Sequence, residues 1–213
     1  MYPQGAFLCK QHNINKLIIK IMNISETTQE VLAIFGQTEI NNKALAILNA
    51  TDFKYLKDLK LNFNSTLSSE FLSEKECGLV GLSVAANNQN AAMMEFYKNY
   101  ALKHGATEDE LAEAVSCASL LASNNVFYRF RHFTQKEKYT QIPARIRMQL
   151  MVKPVTSKEF FELLSLAISA VNGCEMCVNA HEDSLIKLGC KEERIFDAIR
   201  IASIVTATGK LIY

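Results

Sequence analysis

The sequence predicts an all-α protein, and two observations carry that prediction. Proline occurs only at Pro3, Pro143 and Pro154, so a long central stretch has no residue that would break a helix. Segments 110–121 and 195–205 place apolar residues three and four positions apart, which is the spacing of one helix face. Alternating apolar and polar residues bounded by turn residues, the pattern of a strand, are hard to find.

A weak internal repeat appears when the chain is aligned with itself at a shift of 84 residues. Both copies read as a helix end, a glycine cap, an acidic helix start and an apolar stripe. The identical pairs join Lys103, Gly105, Glu108, Ala114, Ala118 and Ser119 to Lys187, Gly189, Glu192, Ala198, Ala202 and Ser203. The sequence therefore predicts a helical bundle built from two pseudo-repeated halves that share one core.

The repeat also suggests the domain organisation. Residues 1–40 have no counterpart in the second half, and we interpret them as an extension of one or two helices that covers the core or a subunit contact. Residues 41–213 then form one all-helical domain with halves at 41–130 and 150–213. The segment 124–154 reads as a solvated basic connector, with a docking surface as the alternative. Its arginines are Arg129, Arg131, Arg145 and Arg147.

Charge and apolar runs exclude several classes of partner. With 23 basic and 22 acidic residues the net charge is +1, so no overall field attracts nucleic acid or an anionic membrane. The apolar stretch 17–22 is too short for a signal peptide, and no run is long enough to span a bilayer. We expect a cytoplasmic protein, where thiols stay reduced and a close cysteine pair indicates redox chemistry or metal binding.

The only close pair, Cys174 and Cys177, lies in a predicted helix–turn–helix. Thr156 or Ser157 offers an N-cap for the first helix, with a capping box between Thr156 and Glu159. Residues 172–173 break that helix. A second helix starts at Cys174 and ends at a glycine cap.

This arrangement places three reactive side chains on one helix face. Cys174 and Cys177 are three residues apart, and His181 follows Cys177 by four. The first turn of a helix favours thiolate over thiol, and His181 can exchange a proton with Cys177. Glu162 on the preceding helix can approach Cys174 and accept a thiol proton directly or through water. The first repeat has Asn90, Met93, Tyr97 and Gly78 at the corresponding positions, so only the second half carries the reactive set.

Two other interpretations of the pair remain open from the residues alone. Zinc would use the two thiols, His181 and a fourth ligand from Cys190 or Glu162, in a helical interaction module without turnover. A purely structural pair of buried thiols is the other. The remaining cysteines have no close partner in sequence, and we expect packing roles for Cys9, Cys77, Cys117 and Cys190.

The spacing of Glu162, Cys174, Cys177 and His181 resembles that of a known family. Together with "FELLSLAISAVNGCEMCVNAHE", "SNNVFYRFRHF" and "ARIRMQLMVKP", it resembles the AhpD-like alkyl hydroperoxide reductases of the wider carboxymuconolactone decarboxylase-like group. The resemblance covers roughly residues 45–213. One departure is that Met176 precedes the second cysteine, where the best-known members have a histidine.

The resemblance implies an antioxidant oxidoreductase with an AhpD-like all-helical fold, usually a homotrimer or a multiple of it. It implies that Cys177 attacks the hydroperoxide, that Cys174 donates a proton and resolves the sulfenic acid, and that His181 and Glu162 relay protons. No bound cofactor or metal is expected. Dihydrolipoamide on a lipoyl-bearing dehydrogenase component would supply electrons, which pass to a peroxiredoxin partner of the AhpC type. Lactone decarboxylation, the chemistry of the wider group, is the alternative activity.

Overall fold

The computed structural model of the protein describes residues 24–213, and within that range it contains helices and turns but no strand. The prediction of an all-α fold is confirmed. The helices are α1 (Glu26–Ile34), α2 (Lys43–Asn49), α3 (Tyr55–Ser65), α4 (Glu74–Asn87), α5 (Ala91–Lys103), α6 (Glu108–Thr134), α7 (Glu137–Gln141), α8 (Gln149–Val152), α9 (Lys158–Val171), α10 (Glu175–Lys187) and α11 (Glu192–Thr208). None of these helices is both long and apolar enough to cross a bilayer.

The helix positions reproduce the internal repeat. Helices α4, α5 and α6 begin at residues 74, 91 and 108, and α9, α10 and α11 begin 84 residues later in each case. The turn between the first two helices of each half also matches, because Gln89 and Gly173 both have positive φ, at 54° and 67°. The two halves are therefore copies of one three-helix unit.

The main core lies between these six helices. Helix α4 packs against α5, α6, α9 and α11, and α9 packs against α6, α10 and α11. The largest side chains in this core include Phe161, Leu163, Leu164, Leu79 and Leu121, all almost fully buried. The two halves thus share one core, and helix α9, which precedes the cysteine pair, lies at its centre.

The first three helices form a second, smaller core. Leu32, Leu45 and Leu56 pack there against Leu211 and Ile212 at the end of the chain. Of the predicted extension 1–40, residues 24–40 contain α1 and lead into α2. The remainder, with Cys9, lies outside the described residues.

The predicted basic connector is partly wrong, because α6 continues to Thr134. Its N-terminus is fixed by a capping box between Thr107 and Glu110, and no proline or glycine interrupts it. The long α6 brings residues 124–134 alongside the second half, where they pack against α9 and α10.

Helix α9 starts at the second of the two predicted N-caps but lacks the predicted capping box. Its N-cap is Ser157, whose hydroxyl accepts from the backbone N–H of Phe160 at 3.0 Å. Thr156 forms no capping box with Glu159. Its backbone N–H and hydroxyl instead donate to the buried carboxylate of Glu113 on α6, the former at 3.2 Å from Oε1. Helix α6 therefore holds the start of α9 in place.

Candidate active site

The two cysteines of the pair meet at the junction of α9 and α10. Helix α9 ends at Val171 with Asn172 as its C-cap, and Gly173 takes the left-handed conformation that a side chain disfavours. Cys174 is the N-cap of α10, and Cys177 is its third residue. Their Cα atoms are 5.3 Å apart and their sulfurs are bonded, so the structure represents the oxidised form.

The first turn of α10 lacks the cap that its counterpart in the first half has. There, the Asn90 side chain accepts from the backbone N–H of Met93 at 3.0 Å. Cys174 replaces Asn90 and makes no side-chain cap. The amide of Cys177 therefore has no side-chain acceptor from the cap residue, and unpaired amides at a helix start favour an anion nearby.

Glu162 on α9 bonds to His181 of α10 and to the exposed Lys158. His181 Nδ1 is 2.6 Å from Glu162 Oε2, and Lys158 Nζ is 2.8 Å from Glu162 Oε1. Both Glu162 and His181 are buried. Because an ionised carboxylate only accepts, His181 donates through Nδ1–H, and its Nε2 is the atom free to exchange a proton. The sequence expectation placed Glu162 near Cys174, but its hydrogen bonds in the described structure go to His181 and Lys158.

The pKa of Glu162 reflects these contacts. Burial alone would raise it, but the hydrogen bonds and charges of His181 and Lys158 outweigh burial. The net result is a pKa below the ordinary carboxyl value of 4.5. Glu162 is therefore ionised at neutral pH and can hold His181 in one orientation.

A pocket of about 650 Å³ opens onto one sulfur of the pair. Cys177, His181 and Lys158 line it, whereas Cys174 does not and is fully buried. An incoming small molecule can therefore reach Cys177 but not Cys174. The order of reactivity that the resemblance implied, with Cys177 first, agrees with this access.

Polar contacts from α6 and from the end of α4 hold the turn that carries Cys174. Arg129 Nη1 donates to the backbone carbonyl of Asn172 at 2.6 Å. The Asn172 side-chain N–H donates to Asn125 Oδ1 at 2.9 Å, and Asn87 donates to Asn172 Oδ1 at 3.0 Å. Asn172 lies two residues before Cys174, so these bonds restrict where that cysteine can sit.

The other described cysteines are poorly suited to thiolate chemistry. Burial raises the pKa of Cys77 and Cys117 to about 12. Burial and the carboxylate of Glu159 raise the pKa of Cys190 to about 12 as well. These three thiols stay protonated near neutral pH.

The corresponding place in the first half is filled with core side chains. Met93 and Tyr97 are buried, and the Tyr97 hydroxyl is 2.9 Å from Thr66 Oγ1. A Cβ on Gly81 would lie 2.3 Å from the Tyr97 ring, so glycine makes room for that ring. The first half therefore keeps the fold of the repeat but has buried core side chains where the second half has Cys177 and His181.

The zinc site considered from the sequence is not supported by the positions of the described side chains. Among residues 24–213, no group of three or more histidine, cysteine or acidic side chains is placed to hold an ion. Cys190, one of the two fourth ligands considered from the sequence, forms its hydrogen bond with the backbone of Lys191.

Sequence reasoning missed several residues of the site. Lys158 went unnoticed, although its spacing of four from Glu162 is a signal for an ion pair on one helix face. Asn124, Asn125 and Tyr128 also line the pocket. They belong to the "SNNVFYRFRHF" segment that supported the resemblance, but no pattern within one helix links them to α10.

These features place the chain in a class of duplicated helical proteins that carry a close cysteine pair, here joined as a disulfide, beside a hydrogen-bonded glutamate–histidine pair. Residues 137–213 match the Carboxymuconolactone decarboxylase family. The chain is 42% identical over 154 residues to the alkyl hydroperoxide reductase AhpD of Anaeromyxobacter sp. (strain Fw109-5), covering 71% of this chain and 81% of the relative. It is 41% identical over 152 residues to AhpD of Solibacter usitatus (strain Ellin6076), covering 71% and 85%.

A third relative, AhpD of Coxiella burnetii (strain Dugway 5J108-111), is 38% identical over 160 residues, which cover 74% of this chain and 90% of the relative. The chain belongs to the AhpD family.

Proposed function

We propose that the protein is an antioxidant thiol peroxidase that reduces alkyl hydroperoxides through a dithiol–disulfide cycle of Cys174 and Cys177. The observation that carries the proposal is the position of Cys177. It lines a pocket at the start of a helix, next to His181 and within bonding distance of a second, buried cysteine. The names of the AhpD relatives support the same activity.

The first half of the cycle oxidises the protein. The Cys177 thiolate attacks the terminal oxygen of the hydroperoxide, the O–O bond breaks, and His181 supplies the proton that converts the leaving alkoxide to an alcohol. Cys174 then attacks the sulfenic acid on Cys177, which forms the disulfide and releases water. Glu162 keeps the imidazole oriented throughout.

The second half restores the thiols. An external dithiol attacks Cys177, the accessible sulfur, and a second attack releases the reduced pair and a cyclic disulfide. Dihydrolipoamide on a lipoyl-bearing dehydrogenase component is our proposed donor, and an AhpC-type peroxiredoxin is our proposed acceptor of electrons. The choice of this donor and this acceptor rests on the family resemblance. We propose a cytoplasmic location for the protein on the same ground.

The test is peroxide consumption driven by reduced lipoamide. We expect Cys177→Ser to lose more than about 100-fold in turnover, since no other thiol replaces the nucleophile. Cys174→Ser should be oxidised once and fail to recycle. Cys190→Ser is the matched control, because that thiol stays protonated and lies outside the pocket. Unchanged turnover in Cys177→Ser would contradict the proposal. Lactone decarboxylation by a variant that lacks both Cys174 and Cys177 would support the alternative activity.

A further inference from the structure

Asn124, a polar residue of the pocket, has a side-chain oxygen that accepts no hydrogen bond in the described structure. Asn124 on α6 is 3% exposed and lines the same pocket as Cys177 and His181. Its side-chain nitrogen donates to the sulfur of Met148 at 3.2 Å and is 3.6 Å from that of Met151. Its side-chain oxygen is buried without a partner among residues 24–213.

The orientation of this amide is fixed by its neighbours. A thioether sulfur accepts a hydrogen bond but has no proton to donate, so exchanging the amide nitrogen and oxygen would lose the contacts with Met148 and Met151. The adjacent Asn125 shows the ordinary situation, since its nitrogen donates to Ser169 Oγ and its oxygen accepts from Asn172. A buried carbonyl without a donor is costly, which marks Asn124 as a group that a ligand can satisfy.

The rest of the pocket suits a hydrocarbon group. Leu121, Met148, Met151 and Met176 contribute apolar surface, and its volume of about 650 Å³ is within the range of small-molecule sites. A ligand for this pocket combines an apolar body with a strong donor near Cys177. A hydroperoxide O–H is such a donor, whereas the S–H of a dithiol is a weak one.

We propose that Asn124 is a substrate-binding residue that accepts a hydrogen bond from the O–H of an apolar organic hydroperoxide lying in this pocket. The inference rests on the proposed peroxidase function and assigns a binding role that the cysteine, histidine and glutamate side chains do not fill. The bond would hold the protonated oxygen, which the Cys177 thiolate attacks. That oxygen becomes the sulfenic acid while the peroxide is reduced to the alcohol, with the proton from His181.

Steady-state kinetics with cumene hydroperoxide and reduced lipoamide tests this role, because the two half-reactions give separate kcat/KM values. Asn124→Leu keeps the size of the side chain and removes the acceptor. We expect kcat/KM for the hydroperoxide to fall about tenfold, which corresponds to the loss of one hydrogen bond of about 1.4 kcal/mol. The value for lipoamide and the pH titration of the Cys177 thiol should stay unchanged.

Two further variants keep the outcome decisive. Asn179→Leu makes the same change at an exposed position of α10 that does not line the pocket, and it should leave both constants as they are. Met176→Gln replaces a partly exposed apolar residue of the pocket wall by a polar one. It tests whether the hydroperoxide lies in the pocket even if Asn124→Leu does not fold. We expect it to lower kcat/KM for cumene hydroperoxide several-fold relative to hydrogen peroxide.

Three results distinguish the possibilities. A loss confined to the lipoamide constant would assign the pocket to the dithiol and overturn the proposal. An unchanged hydroperoxide constant in folded Asn124→Leu would overturn it as well, and if that variant does not fold, an unchanged constant in Met176→Gln would do so. If the unmodified protein consumes no peroxide, or does so without Cys177, the peroxidase function itself fails, which is a different outcome.

Discussion

Glu162 is the residue on which the electrostatics of the site depend. It is buried between His181 and Lys158 and accepts a hydrogen bond from each. Removing its charge would leave two donors facing a neutral group, and a buried donor that loses its charged acceptor loses much of its stabilisation. The carboxylate therefore stabilises the folded protein as well as orienting the imidazole.

The lowered pKa of Glu162 predicts how stability changes with pH. A carboxyl whose pKa is lower in the folded than in the unfolded state stabilises the fold at high pH, and that contribution is lost as pH falls through the folded-state pKa. The free-energy difference between the unmodified protein and Glu162→Gln should therefore be constant above about pH 4.5 and shrink below it. Urea denaturation across this range measures it. The exposed Glu193→Gln is the control, and a difference that grows on acidification would contradict the prediction.

Among the helices and turns, the turn before the second helix of each half has a different role in each half: it caps the helix in the first half and carries the disulfide in the second. The turns before α5 and α10 share a left-handed residue, at Gln89 and Gly173. In the first half the next residue, Asn90, caps its helix; in the second, Cys174 occupies that position and forms the disulfide. Replacing a cap by a thiol gives up cap stabilisation of about 1 kcal/mol. The contacts of Arg129 and Asn125 with Asn172 hold this turn from α6 instead.

We therefore expect the loss of the Arg129 side chain to make disulfide formation less favourable. Its bond to the Asn172 carbonyl is charge-assisted, and losing such a bond costs about 1.5–3 kcal/mol. If half of that cost falls on the position of Cys174, Arg129→Gln should lower the equilibrium constant for disulfide formation, measured against reduced lipoamide, about three- to twelvefold. Arg131→Gln is the control, since Arg131 on the same helix bonds the Ile142 carbonyl. Equal equilibrium constants for the two variants would show that disulfide closure does not depend on the contact of Arg129 with Asn172.

At the scale of the whole molecule, the second half of α6 leaves apolar side chains in solvent. Val126, Phe130 and Phe133 follow the spacing of one helix face, and Phe133 is 73% exposed. Apolar side chains grouped on an exposed surface mark contacts with other proteins. We interpret this face as part of the contact in the homo-oligomer, a trimer or a multiple of it, that the family resemblance implies.

A charge on that face should disrupt the assembly. We expect Phe133→Glu to reduce the mass measured by sedimentation velocity to that of one chain, because a buried unpaired carboxylate is costly at an apolar contact. Phe196→Glu is the matched control, since Phe196 is 71% exposed on α11, away from this face. Dissociation by the control variant, or an unchanged mass for Phe133→Glu, would refute the assignment of this face.

Features that depend on near neighbours in the chain could be predicted from the sequence. Helix starts, glycine turns and the repeat of 84 residues follow from caps and spacing, and the structure has them at the same positions. The placement of Cys174, Cys177 and His181 on one helix also follows, because one turn of a helix fixes which residues are neighbours. Sequence reasoning brought Glu162 towards Cys174, whereas the partner of Glu162 at hydrogen-bonding distance on this helix is His181.

The side chains from other helices that complete the site could be identified only from the packing of the helices. Asn124, Asn125 and Arg129 lie more than forty residues from Cys174 in the chain, and helical periodicity carries no information about contacts at that separation. Their placement depends on α6 continuing past the predicted connector and packing against α9 and α10. The same packing buries Cys174 and leaves Cys177 at the pocket, a difference that two cysteines three residues apart do not reveal in sequence.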